Sequence, residues 1–413
     1  MGYQQGLSGL AGASNALDVI GNNIANANTV GFKSSTAQFA DMYANSVATS
    51  VNTQIGIGTT LASVQQQFGQ GTINTTNSSL DVAINGNGFF QMSNNGVTTY
   101  SRDGTFQRDK NGFIVDSQGR NLMGYAAGSG GVINTAQTVP MQAPTSNIAP
   151  TATTKITGQF NLNSQDTVPA KTPFNATDTT TYNYSTSIQV YDTLGGSQAV
   201  NMYFVKSAAG TWEAYAGVQG GATTDLGTVT FNSSGAIQST TTGTPAAPTT
   251  SLGQFQFTVP NTDGSVTPQS LTLDLTGTTQ YGGKDGVNNL AQDGYASGTL
   301  TTYSIGADGK LTGNYSNGQT AVLGLIALAN FNNPNGLVNL GGNQYAESSA
   351  SGVPQISAPG STNHGTLQGS ALENSNVDLT SQLVNLITAQ RNYQANAQTI
   401  KTQQTVDQTL INL

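Results

Sequence analysis

The 413-residue chain has no cysteine, which excludes disulfide staples, thiolate nucleophiles and Cys-ligated zinc. It has one histidine, His364, and three glutamates, Glu213, Glu347 and Glu373. A catalytic triad or a His-based metal site needs partners that converge, and His364 sits alone in a Gly/Ser/Thr-rich stretch, so it reads as a solvent-exposed loop residue. Seventeen aspartates remain, most of them in turn settings where Asp bonds its own backbone. Charge is scarce as well: 8% of residues are Asp, Glu, Lys or Arg, against about a quarter in an average soluble protein. The twelve cations are scattered singly from Lys33 to Lys401 and the net charge is −8. Nucleic acids and anionic membranes want clustered Lys and Arg, so neither is expected as a partner. The longest apolar stretch, Ala321–Ala329 (AVLGLIALA), is too short to cross a bilayer. No Lys or Arg precedes Lys33, and the apolar residues there are interrupted by Gly, Asn, Gln and Ser. A cleavable secretory signal is therefore not expected.

What the chain does have is helical periodicity at its two ends. Tyr3, Leu7, Leu10, Ser14, Leu17, Gly21 and Ile24 alternate in steps of four and three, a heptad seam widened by Ala13 and Ile20. Gly6, Gly9 and Gly12 lie inside it, each lowering helix propensity by about 1 kcal/mol against Ala. Such a helix needs a partner. At the other end, Leu372, Leu379, Leu383, Leu386, Gln390, Tyr393, Ala397 and Ile400 keep the same rhythm, and Val406, Leu410 and Leu413 carry an apolar face onward. Ser375 and Asp378 form an S-x-x-D capping signal ahead of the run. Outward positions are Gln, Asn and Thr rather than charged residues, which predicts a helix enclosed on several sides.

Everything between reads as β. Asn95-Gly96, Asp103-Gly104, Asn111-Gly112, Asp263-Gly264 and Asp308-Gly309 punctuate alternating apolar segments. Strands are expected at Ser187–Tyr191, Val200–Val205, Phe255–Val259 and Leu271–Leu275, and a surface loop at 239–250 (STTTGTPAAPTT). Gly86-Asn87-Gly88 lacks the third glycine of a dinucleotide loop. Asp109-Lys110-Asn111-Gly112 brings its Gly too early for a calcium loop. Both are expected to be hairpin turns. Trp212 is the only tryptophan, and the dispersed aromatics offer no stacking platform.

Specific motifs lie at both ends. Asn23–Lys33 (NIANANTVGFK) resembles the N-terminal signature of the bacterial flagellar rod and hook axial proteins, and Leu372–Leu413 resembles their C-terminal helix, including Asn-Val-Asp-Leu and Gln-Arg-Asn-Tyr-Gln. Leu80–Phe90, Tyr100–Phe106 and Leu328–Gly341 add further matches. The signature residues carried over are Asn26, Thr29, Gly31 and Phe32, then Asn376, Val377, Asp378 and Leu379, then Gln390, Arg391, Asn392 and Tyr393. The long middle, with Gln280–Gly298, resembles the hook members rather than the shorter distal rod ones.

The resemblance implies an α+β subunit in which terminal helices pack as a coiled-coil-like core carrying two mainly-β domains, the second inserted into the first. Expected bounds are a helix at 1–28, a connector at 29–70, a first β-domain at 71–150 and 290–366, an inserted outer β-domain at 151–289, and a helix at 367–413. Packing between copies would use Leu7, Leu10, Leu17, Ile20 and Ile24, with Leu379, Leu383, Leu386, Tyr393, Ile400, Val406 and Leu410. The subunit would polymerise with itself into the hook, the flexible tubular joint that passes motor torque to the filament. Implied partners are rod, hook-cap and hook–filament junction proteins and a type III export apparatus, with no cofactor, metal, catalytic residue or small-molecule substrate. A distal-rod-type subunit is the alternative within this family. An adhesin or carbohydrate enzyme on a β-scaffold would predict an export signal, a repeat period or converging carboxylates, none of which the sequence displays.

Overall fold

The computed structural model describes residues 2–43, 56–144, 146–243 and 251–411. They fall into two compact units, one of residues 1–145, 301–314 and 320–413 and the other of residues 146–300 and 315–319. Leu413, part of the 29–70 segment and residues 244–250 of the Thr/Ala/Pro loop lie outside the described residues.

The first unit contains both helices. α1 (Gly2–Ala25) and α2 (Leu379–Ile411) run antiparallel: Gly6 meets Ile400, Gly9 meets Asn396, and Asn23 reaches Gln382. The glycines that weaken α1 on propensity are what let the backbones close. A β-carbon on Gly6 would lie 3.0 Å from Ile400 Cγ1, and Gly12 faces Thr59 and Phe39 of the following hairpin. That hairpin pairs Ser35–Tyr43 with Gly56–Gln66 inside the segment read as connector. It lies along α1, whose Gln5 amide donates to Gly56 O at 2.6 Å.

α2 begins later than its periodicity suggests. Leu372 is not helical: it belongs to strand Ala371–Glu373, paired with Ile73–Thr75, and a second strand, Thr366–Gly369, precedes it. Asp378 alone caps the helix, its Oδ1 accepting from Thr380 N at 2.9 Å and Ser381 N at 3.2 Å. Ser375 instead closes a local turn by accepting from Val377 N, so the S-x-x-D reading fails. Along α2, Thr388, Thr399, Thr402, Thr405 and Thr409 each donate a hydroxyl proton to the carbonyl four residues back, at 2.9–3.0 Å.

The β-body of this unit is built on thirteen mainly antiparallel strands among the described residues. Its centre is sealed by Val82, Ile84, Phe90, Met92, Leu311 and Leu328. Beside it, Phe68, Phe89, Phe331 and Tyr345 meet edge to face. Asn95-Gly96 makes the two-residue hairpin its sequence predicts, both residues having positive φ (49° and 89°). Asp109–Gly112 likewise joins paired strands. Gly86–Gly88 does not: Val82–Asn85 pairs with Thr366–Gly369 while Phe89–Asn94 pairs elsewhere, so the glycines carry the chain between sheets. Asp103-Gly104 is also no hairpin. Asp103 accepts from Thr105 N, and Gly104 gives room to the Val82 carbonyl. His364 is half-buried rather than free in a loop, its ring nitrogens 3.2 Å from Ser361 O and 2.9 Å from Gln355 O.

Among the described residues, the second unit is formed by two five-stranded sheets. One is a meander from Tyr184–Tyr191 to Ile237–Thr242. The other is mixed and centred on Lys155–Asn163, which runs parallel to Gln269–Asp274 and Thr279–Tyr281 and antiparallel to Gly286–Gln292. Their alternating apolar faces bury Trp212, Phe160, Phe204, Phe255, Leu271 and Leu273.

Candidate functional site: the junction of the chain ends and the exposed helix faces

α1 stops because the backbone turns on Asn26: Thr29 N donates to Asn26 O and the Thr29 hydroxyl to Asn26 Oδ1, both at 3.1 Å. Phe32 N then closes on Thr29 O. Gly31 has φ 70°, and a β-carbon there would stand 2.7 Å from Asp103 N. Glycine is required on both counts. The N–H of Gly31 donates to Glu373 O at 2.8 Å. Asn376 binds the two segments crosswise, its Oδ1 accepting from Ser34 N at 2.8 Å and its Nδ2 donating to Gln67 O at 2.7 Å and Gly69 O at 3.1 Å. Buried Asn23 holds Ser35 through both N–H and C=O, each at 2.8 Å. The end of α1 and the lead into α2 thus meet on the β-body.

A buried ion cluster sits at the centre of this junction. Lys33 Nζ is 2.6 Å from Glu373 Oε1 and 2.9 Å from Gly69 O. Glu373 Oε1 also accepts from Gly71 N at 2.7 Å, while Oε2 lies 3.3 Å from Arg102 Nη1. Arg102 Nη2 donates to Gly86 O at 2.9 Å, and its guanidinium lies over the Phe89 ring. Side chains of all three ions are at most 3% exposed. Burial, and then the nearby Arg102 charge, push the Lys33 pKa down against the opposing pull of Glu373. Burial lowers that of Arg102 too. The sequence reading missed this cluster by treating Lys33 as one of many isolated cations. Its signal is scarcity: in so weakly charged a chain, a Lys and a Glu lie inside the two terminal motifs.

Of the signature residues, Asn26, Thr29, Gly31, Phe32 and Asn376 are brought together at the junction, and Val377 and Asp378 lead from it into α2. Gln390, Arg391, Asn392 and Tyr393 lie about three turns along α2, on exposed positions. The expected packing residues divide in the same way. Leu10, Leu17, Ile20 and Ile24 are half-buried, as are Leu386 and Ile400, and Ala389, which was not foreseen, is buried. Leu7, Leu379, Leu383, Tyr393, Val406 and Leu410 are exposed, Leu7 by 51% and Leu410 by 65%. In the single chain α2 is therefore not enclosed: Ala389, Asn396 and Ile400 lie on the side towards α1, while Leu379, Leu383, Val384, Ile387, Val406 and Leu410 are exposed on other sides of the helix. A groove of about 310 Å³ opens among α1, the hairpin and α2, lined by Gly9, Gly12, Ala16, Phe39 and Ala389. Among the described residues, no helix is long and apolar enough to cross a membrane.

Four family models match along the chain. They are the flagella basal body rod protein model at residues 4–33, the flagellar hook protein FlgE/F/G D1 domain at 83–158, the flagellar basal body protein FlaE D2 domain at 161–295, and the flagellar basal body rod FlgEFG protein C-terminal model at 368–413. The flagellar hook protein FlgE of Salmonella typhimurium is 42% identical over 424 residues, covering all of both chains. That of Escherichia coli is 40% identical over 422 residues, again covering all of both. Among solved structures, the Helicobacter pylori flagellar hook protein FlgE2 aligns with a TM-score of 0.48 at 15% identity, covering 73% of this chain and 99% of that one. With full-length relatives at 40–42% identity and family models on four segments in order along it, the chain belongs to the flagellar hook protein family.

Proposed function

We propose that the chain is the structural subunit of the flagellar hook, polymerising into the flexible tube that passes motor torque to the filament. The observation that carries this reading is the set of apolar side chains left exposed on the two helices. Tyr3, Leu7, Leu379, Leu383, Val406 and Leu410 are left in solvent by the single chain, and burying a side chain of this kind stabilises by roughly 1.5–3 kcal/mol. A subunit that meets its neighbours through different patches on each side makes contacts that do not close, which generates a helical filament. In this reading the helices of successive copies pack as a coiled-coil-like inner wall, and Leu10, Leu17, Ile20, Ile24, Leu386 and Ile400 hold the pair within each copy. The second unit is an insertion into the first, and its weakly charged β-surfaces slide past neighbours as the tube bends.

The test is direct. Full-length protein and a variant lacking residues 379–413 are compared for tube formation by electron microscopy, with Trp212 fluorescence reporting on the second unit. Tubes from the full chain alone, with Trp212 unchanged, support the reading; tubes from the truncated chain overturn it. Rod, hook-cap and hook–filament junction proteins are the expected neighbours, and export through a type III apparatus is the expected route. A distal-rod-type subunit is the weaker reading, because the full-length relatives at 40–42% identity are hook proteins. A deletion strain decides: flagella that keep rods but lack hooks support the hook, and loss of rods supports the alternative.

A further inference from the structure

Glu373 holds together two cations that repel each other. Lys33 follows α1, Arg102 belongs to the β-body, and Glu373 lies on a strand 340 residues from Lys33 along the chain. Without that carboxylate the site would contain two buried like charges and no counter-charge, a strongly unfavourable arrangement. The dependence extends to the backbone. Gly31 N bonds Glu373 O, Phe32 O accepts from Asn376 N, Lys33 bonds the Glu373 carboxylate and Ser34 N bonds Asn376 Oδ1. Four successive residues, the last three of the N-terminal motif and Ser34, are thus held by the segment Glu373–Asn376. Gly71 N, from the strand-side segment that also offers Gly69 O to Lys33, points at the same carboxylate.

We propose that Lys33, Arg102 and Glu373 form a charge-gated latch, in which the N-terminal motif docks on the β-body only once Glu373 has been inserted between the two cations. Order where α1 meets the body is then conditional on the far end of the same chain. An apolar plug at position 33 would fill the space without imposing that condition, because it would dock with or without the C-terminal strand. For a subunit that polymerises, which rests on the reading above, the latch keeps an incomplete chain from presenting an ordered α1.

The test uses the full chain and hydrogen exchange at the amides of Gly31, Ser34 and Gly71, with the core strand Phe89–Asn94 as internal reference. In Glu373→Gln the junction amides should exchange at least about 100-fold faster, the lower bound implied by breaking a buried ion pair, while the reference strand stays protected. In the double variant Lys33→Met/Glu373→Gln the repulsion between cations is gone, and exchange should fall back below that of Glu373→Gln alone. Unchanged exchange in Glu373→Gln overturns the latch. So does a double variant that exchanges as fast as the single one or faster, the result expected if both residues merely fill space. Should Glu373→Gln lose protection in the reference strand as well, the comparison with the double variant still decides by the same criterion. Failure of tube formation in the truncated chain bears on the polymer reading and leaves this test untouched.

Discussion

Gly9 of α1 and Asn396 of α2 stand so close that a β-carbon on Gly9 would lie 2.6 Å from the Asn396 amide oxygen. Asn396 is not free to swing aside, since its amide donates to Asn392 O at 2.9 Å. Gly21, on the same helix, has nothing within 4 Å of its would-be β-carbon. One glycine serves packing and the other does not. Gly9→Val should therefore lower stability by about 1–3 kcal/mol through overpacking. Gly21→Ala should raise it by roughly 0.5–1 kcal/mol through helix propensity. Thermal melts followed by far-ultraviolet circular dichroism separate the two, and equal effects would contradict the packing described.

The start of α2 depends on a single carboxylate. The bonds from Ser381 N and the Ser381 hydroxyl, and then from Thr380 N, hold the Asp378 pKa below its ordinary value against the effect of burial. Asp378→Ala should fray the first turn and lower helix content, Asp378→Asn should largely preserve it, and Ser375→Ala should leave the helix start where it is. Amide exchange at Thr380 and Ser381 reads this out.

Acid should loosen the second unit in a defined window. Burial acts to raise the Asp274 pKa, but the Lys155 ammonium at 2.8 Å and bonds from Thr276 outweigh it and bring the group to about 2. An unfolded chain would bind its proton nearer the ordinary 3.8. The stabilisation is then complete above that value and is lost as pH falls from there towards 2. Lys155→Met should move the acid midpoint of Trp212 fluorescence upward. The loss in stability should be about 1 kcal/mol, because Lys155 is half exposed and its pairing is screened.

Leu383→Asp and Leu410→Asp test the helix faces one side chain at a time. Both positions are exposed in the single chain, so each variant should keep its stability within about 0.5 kcal/mol. Sedimentation and electron microscopy should nevertheless show loss of polymer. A variant that assembles normally would remove that residue from the proposed interface.

Periodicity was a sound guide to the helices and turn chemistry to some of the hairpins, because both are local. It failed where the partner is distant. Leu372 keeps the four–three rhythm yet pairs as a strand with Asn74, and Gly86–Gly88 looks like a hairpin although the strands it joins take other neighbours. The Lys33–Glu373 pair is hard to read for the same reason: the scarcity of charge marks both residues, but nothing local in either motif says that they meet. Heptad spacing located an apolar stripe on α2 without saying which part of it α1 would cover. The covered part centres on Ala389 and Asn396, small or polar residues that a search for leucines passes over.

Five of the six threonines of α2, all but Thr380, bear on how the subunit responds to load. Each hydroxyl shares a carbonyl already used by the helix ladder, and sharing of this kind lets a helix curve slightly at that turn. From Thr388 to Thr409 the sites are spread along most of the helix and not gathered at one point. In the proposed tube, bending strain on α2 would thereby be divided among many small deflections, as in a leaf spring, rather than concentrated at one turn.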